Sequence, residues 1–134
     1  MEKAKILLVD DDPDILAAMG MVLEAHGYQL ATARDGIEAL EKLKEEKPDL
    51  MILDLLMPRM DGFEVCKELK DPRRAKYANI PILILTSVRE DASRRRYELE
   101  TGLALDVDDY IEKPIAPHTL IERVERLLKK VGKV

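Results

Sequence analysis

The chain has 134 residues, 46% of them hydrophobic and 37% charged, which bounds it to one globular domain and excludes a disordered chain. A domain of this size buries roughly two-thirds of its unfolded surface, enough for a core of its own. The formal net charge of −5 disfavours nonspecific nucleic-acid binding by the whole domain, and the single Cys66 excludes an internal disulfide and points to a reducing cytoplasm. No apolar stretch is long enough to cross a bilayer, and MEKAKILLVD does not read as a signal peptide because its short apolar run leads straight into aspartates.

The first element is KILLVD (5–10), a continuous apolar run that suits a strand buried on both faces. In DPDILAAMGMVLEAHG (12–27) Asp12 can cap a helix, Pro13 suits its first position and Gly27 can end it. Ile15, Met19, Val22 and Leu23 share one face of that helix. YQLATA (28–33) is strand-like, GIEALEKLKEEKP (36–48) is an amphipathic helix ended by Pro48, and DLMILD (49–54) is a third strand. DGFEVCKELK (61–70) opens a third helix, with Asp61 and Glu64 spaced as a capping box. IPILILT (80–86) is the fourth strand and REDASRRRYELETG (89–102) a fourth helix. DDYIEK (108–113) is a short fifth strand, and PHTLIERVERLLKKV (117–131) closes the chain as a helix with Leu120, Val124, Leu127 and Leu128 on one face.

Strands and helices alternate throughout, which predicts an α/β fold with a parallel sheet and helices on both faces. Such a sheet places its site at the carboxyl ends of its strands, where the strand order reverses. Asp10, Asp54 and Thr86 all fall at strand ends, and Lys113 lies just past the fifth.

If Asp10, Asp11 and Asp54 are neighbours, their charges need a partner. Two carboxylates about 4 Å apart repel by about 4 kcal/mol at an effective dielectric near 20. An all-oxygen donor set suits Mg²⁺, which keeps waters and accepts phosphate oxygens. Asp54 can then serve as a nucleophile that forms an aspartyl-phosphate, with Lys113 and the Thr86 hydroxyl placed to meet phosphate oxygens.

Four stretches, ILLVDDDPDI (6–15), DLLMPRMDGFEV (54–65), ILILTS (82–87) and DDYIEKPI (108–115), together resemble the receiver domain of two-component response regulators. The resemblance covers nearly the whole chain in the right order. It implies a flavodoxin-like, five-stranded parallel sheet in the order 2-1-3-4-5, with residues 1–134 forming a single receiver domain (core about 4–130) and no output domain. It further implies that Asp54 takes a phosphoryl group from a sensor histidine kinase or a histidine phosphotransfer protein. Asp10, Asp11, Asp54 and the Leu56 backbone carbonyl would hold Mg²⁺, with Mn²⁺ as a substitute. Thr86, Ser87, Lys113 and Tyr110 would form the phosphate-binding and switch set, and the Lys113–Pro114 peptide would be cis. The switched surface would be the face built from the fourth helix, fifth strand and fifth helix. It would control an output protein or pass phosphate along a relay. The protein would be cytoplasmic, without direct nucleic-acid contact or membrane insertion, and a monomer or a phosphorylation-dependent dimer.

Simpler roles stand beside these. Asp12 reads as a helix cap, Tyr110 also suits a half-buried strand position, and Met57, Met60, Phe63 and Cys66 read as packing. Arg94, Arg95 and Arg96 suit a solvated helix face or a partner-docking patch. His26 and His118 carry no metal-ligand spacing. The link LALDVDDY after Gly102 is several residues longer than the family's Gly-Ala-Asp-x-Tyr, which bears on the output face and on Tyr110. The resemblance further implies that the positions two residues past Asp54 and Thr86 govern how easily water attacks the phosphate; Leu56 and Val88 stand there, are apolar and cannot orient that water, so slow loss of phosphate is expected. A second resemblance is to Mg²⁺-dependent phosphohydrolases of the haloacid-dehalogenase type, with Asp10 as nucleophile and Asp12 as acid/base. Against it, Asp14 is atypical, no cap domain fits, and Asp54 would have no task. A receiver-like binding module without chemistry is disfavoured by the intact set Asp10, Asp11, Asp54, Thr86 and Lys113.

Overall fold

The computed structural model describes residues 4–55, 57, 59–74, 79–86 and 108–132. Their order is β1 (Lys5–Val9), α1 (Pro13–Ala25), β2 (Gln29–Ala33), α2 (Gly36–Glu46), β3 (Leu50–Asp54), α3 (Gly62–Glu68), a 3₁₀ turn (Pro72–Arg74), β4 (Ile82–Thr86), β5 (Asp109–Glu112) and a C-terminal helix (Pro117–Lys130). The expected fourth helix at 89–102, with Arg94, Arg95 and Arg96, lies outside the described residues, as do Leu56, Ser87, Val88 and the long link after Gly102 up to residue 107.

The five strands form one sheet in the order β2-β1-β3-β4-β5, and every pairing is parallel. Alternate residues of the strands feed two cores. Ile6, Leu8, Ile52, Leu83 and Leu85 pack with Met19 and Leu23 of α1 and with Leu120, Val124, Leu127 and Leu128 of the C-terminal helix. On the other face Leu7, Val9, Met51, Leu53 and Ile84 pack with Ala39 and Leu43 of α2 and with Phe63, Val65 and Cys66 of α3. The side chains of β3 and β4 are buried on both faces, which is why those segments read as unbroken apolar runs.

Helix starts follow their capping residues. Asp12, Asp35 and Asp61 each accept a backbone N–H from the first turn that follows, at 2.9 Å from Asp14, Glu38 and Glu64 respectively. The second helix stops before Pro48: it ends at Glu46, and Lys47 turns the chain out in the left-handed region at φ 47°. At the start of β5, Asp108 is tied to β4 twice. Its N–H donates to the Ile82 carbonyl at 3.0 Å, and its carboxylate accepts the Ile82 N–H at 2.8 Å. Asp109 joins β5 to the C-terminal helix through Arg123 at 3.0 Å and Arg126 at 2.7 Å. Burial alone would raise the Asp109 pKa, but the Tyr110 N–H and the two guanidinium groups outweigh it and hold the carboxyl below its usual range.

Candidate functional site

The sheet order reverses at β1, which has β2 on one side and β3 on the other. The carboxyl ends of β1 and β3 therefore frame the crevice where an open α/β sheet binds its ligand. Asp10 follows β1 directly, and Asp54 is the last residue of β3. Both are buried, while Asp11 is exposed. Carboxylate oxygens of Asp10, Asp11 and Asp54 lie within 4.8 Å of one another.

Lys113 completes this group from the far side of the sheet. Its N–H donates to the Thr86 carbonyl at 2.7 Å, extending the β4–β5 ladder by one residue. That anchor aims the side chain at the acids, with Nζ 3.3 Å from Asp54 Oδ1 and 3.4 Å from Asp10 Oδ2. The Lys113–Pro114 peptide is cis. Thr86 is buried at the end of β4, and it lines one cleft of about 500 Å³ together with Tyr110, Pro114 and Arg123. Tyr110 also packs, half-buried, against the core beneath α2 and α3.

Electrostatics mark Asp10 as the strained member of the group. Burial pushes its carboxyl up to about 6, and the charge of Asp54 adds to that rise. The Asp12 N–H, which donates to Asp10 Oδ1 at 3.0 Å, opposes it, as does Lys113. Asp10 Oδ2 is buried and accepts no hydrogen bond among the described residues; its contact there is the ion pair with Lys113. A buried, under-coordinated carboxylate oxygen beside two further carboxylates fits a hard divalent cation. The donor set is all oxygen, and the exposed Asp11 leaves room for waters on the open side. These residues fit Mg²⁺.

Asp12 takes no part in this cluster, since its carboxylate is committed to the start of α1. Sequence reasoning passed over Asp35 and Arg59. Asp35 is 2% exposed and caps α2, while its second oxygen pairs with the Arg59 guanidinium. The Asp-x-x-Glu spacing at 35–38 carried the capping signal, but nothing local pointed to Arg59, 24 residues away.

A five-stranded parallel sheet in this order, with an acidic cluster and a lysine at its carboxyl edge, defines the class of flavodoxin-like signal receivers. The family model for the response regulator receiver domain matches residues 6–125, and the chain belongs to that family. It is 41% identical over 126 residues to the alkaline phosphatase synthesis transcriptional regulatory protein PhoP of Bacillus subtilis, covering 94% of this chain and 49% of that protein. It is 40% identical to the response regulator MprA of Mycobacterium leprae, again covering 94% of this chain and 51% of the relative. The chain thus spans about half the length of the curated relatives it matches. Among solved structures, the chemotaxis response regulator CheY4 of Vibrio cholerae superposes with a TM-score of 0.77 at 32% identity, covering 94% of this chain and 99% of that one. The receiver domain of a signal transduction histidine kinase from Syntrophus aciditrophicus gives 0.81 at 34% identity, covering 98% and 94%. The chain is a receiver domain by family, which fits a signalling switch. Among the described residues no helix is long and apolar enough to cross a membrane.

Proposed function

We propose that residues 1–134 act as one receiver unit in which Asp54 accepts a phosphoryl group from a phosphohistidine of a sensor kinase or phosphotransfer protein. A carboxylate oxygen of Asp54 forms the new P–O bond as the P–N bond to the imidazole breaks, and the leaving imidazole takes a proton. Hydrolysis of the aspartyl-phosphate by water restores the carboxylate, so the protein assists both halves of its own cycle. Mg²⁺ held there would neutralise the acids and polarise the incoming phosphoryl group. Asp10, Asp11, Asp54 and the Leu56 carbonyl would hold it. Lys113 meets the phosphoryl oxygens as a cation, and Thr86, with Ser87 beside it, donates hydroxyl hydrogen bonds to them.

The observation that carries this reading is the convergence of three carboxylates within 4.8 Å of one another, two of which, Asp10 and Asp54, pair with the Nζ of Lys113. The added charge on Asp54 then biases a two-state equilibrium by drawing Thr86 inward, and Tyr110 in the same cleft follows. The readout is a protein partner or a further phosphotransfer step in the cytoplasm, through the face that includes β5 and the C-terminal helix.

The test is intact mass after incubation with Mg²⁺ and phosphoramidate, on wild type, Asp54→Ala and Asp10→Ala. One phosphoryl increment on wild type that Asp54→Ala abolishes supports the reading. An increment that survives Asp54→Ala and disappears with Asp10→Ala overturns it in favour of a phosphohydrolase.

A further inference from the structure

Resting on the receiver reading above, we propose that Arg59 and Asp35 are positioning residues: their ion pair pins the loop that leaves Asp54 onto the start of α2 and keeps the acidic site formed for its divalent cation. Four observations converge on this loop. Its far end closes on its beginning, because the Gly62 N–H donates to the Leu55 carbonyl at 2.8 Å. A Cβ on Gly62 would lie 2.6 Å from the Asp54 carbonyl oxygen, so the start of α3 touches the backbone of Asp54 itself. Its middle is held by a neighbour: the Gly36 N–H donates to the Met60 carbonyl at 2.8 Å, and a Cβ on Gly36 would lie 2.5 Å from that oxygen. The fourth is the Arg59–Asp35 pair, whose acid is buried against α2.

Backbone conformation separates this pair from an incidental surface contact. Arg59 sits at φ 64°, in the left-handed region where glycine is at ease and a long side chain is not. An arginine kept there is held by its surroundings, and the pair with Asp35 is one of those restraints. Asp35 is equally committed. Burial would raise its pKa, yet the N–H groups of Glu38 and Ile37 and the Arg59 guanidinium hold the carboxyl below its usual range. A buried acid that stays charged at neutral pH is thus offered to the loop as a fixed anchor. The only covalent route from Asp54 to α3 runs through this loop, so loosening it frees the backbone that follows the acidic residue. Cation binding would then have to order that segment each time, and affinity would fall.

The test uses the full chain with Mg²⁺ itself as probe. Arg59→Gly removes the guanidinium while relieving the left-handed backbone. Asp35→Asn keeps a good helix cap while removing the charge. Each should weaken the Mg²⁺ dissociation constant, measured by titration calorimetry, by about tenfold, the usual size of a supporting-shell loss. The double variant should bind no more weakly than either single one, because both changes cut the same pair. Arg59→Lys should recover most of the affinity. Amide hydrogen exchange at Gly36 should quicken in Arg59→Gly. The rate of phosphoramidate labelling should fall at low Mg²⁺ and return to within about twofold of wild type at saturation. Unchanged Mg²⁺ affinity in both single variants, or losses that multiply in the double variant, overturns the proposal, as does a lowered melting temperature without any change in affinity. If wild type neither binds Mg²⁺ nor takes a phosphoryl group, the receiver reading itself falls, while exchange at Gly36 still reports whether the clamp exists.

Discussion

The Nζ of Lys113 stands 3.3 Å from Asp54 Oδ1 although 59 residues separate them in the chain. The same ammonium lies 3.4 Å from Asp10 Oδ2, so one cation serves two buried acids. Truncating it removes that shared counter-charge from both. In metal-free buffer at pH 8, Lys113→Met should unfold about 3 kcal/mol more easily than wild type, as expected when one partner of a buried ionic group is lost. Urea denaturation with and without Mg²⁺ checks this, and the deficit should shrink when Mg²⁺ is added. An equal deficit in both buffers would mean that lysine and cation do not share the same acids.

Asp10 predicts an unusual pH dependence. Its folded pKa of about 6 lies above the ordinary 3.8. Between those values the folded protein holds a proton that the unfolded chain has released, so stability falls as pH rises from about 4 to about 6. The loss is on the order of 3 kcal/mol for this group. Asp10→Asn keeps an oxygen for the Asp12 N–H and removes the charge, so at pH 7 without metal it should be more stable than wild type. Below about pH 4 the two should converge. Asp35 and Asp109 act in the opposite sense at lower pH, because their carboxyls are held below the ordinary value and their contributions vanish as acid protonates them. Denaturation at each whole pH from about 2 to about 7 separates the windows.

Two glycines should respond very differently to the same added methyl group. At Gly62 the new Cβ meets backbone, the Asp54 carbonyl oxygen at 2.6 Å and Leu55 Cα at 2.8 Å, and neither can step aside. Gly62→Ala should cost about 3 kcal/mol and slow phosphoryl transfer to Asp54. At Gly20 the new Cβ meets only the end of the Leu30 side chain at 3.0 Å. There the better helix propensity of alanine, about 1 kcal/mol, offsets the contact, and Gly20→Ala should be near neutral. Thermal melts of the pair decide it.

The apolar residues two positions past Asp54 and Thr86 predict a long-lived phosphoprotein. A Leu56→Asn, Val88→Glu double variant, given polar groups that can orient water, should lose its phosphate several-fold faster than wild type once the donor is removed. Mass spectrometry over time measures this directly. Equal lifetimes would mean that water access is limited elsewhere.

Much of the fold was legible because it is written in short-range chemistry. Unbroken runs such as LMILD declare strands buried on both faces, and Asp12 and Asp61 mark helix starts because a carboxylate accepts the first free N–H groups wherever a helix begins. The end of α2 was legible too: Pro48 disfavours helical geometry at the residue before it, and the helix stops at Glu46 with Lys47 in the left-handed region. The acids and the lysine could be named from their positions at strand ends, since a parallel sheet gathers those ends on one edge whatever lies between them.

Pairings over distance were decided only by the folded chain. Asp35 and Arg59 carry no shared periodicity, and Asp109 gives no local hint that it will meet both Arg123 and Arg126. Gly36 and Gly62 read as ordinary helix-start glycines until the loop after Asp54 is seen to press on both. The raised pKa of Asp10 belongs to the same class, because burial and the approach of Asp54 are properties of a three-dimensional neighbourhood. By itself the sequence determined which elements form and which chemical groups stand at the sheet edge, because propensity, capping and alternation act within a few residues. Only the tertiary structure decided how far apart those groups sit, which charges neutralise which, and what holds the phosphoacceptor loop, because electrostatics and close packing act through space between residues the chain order does not relate.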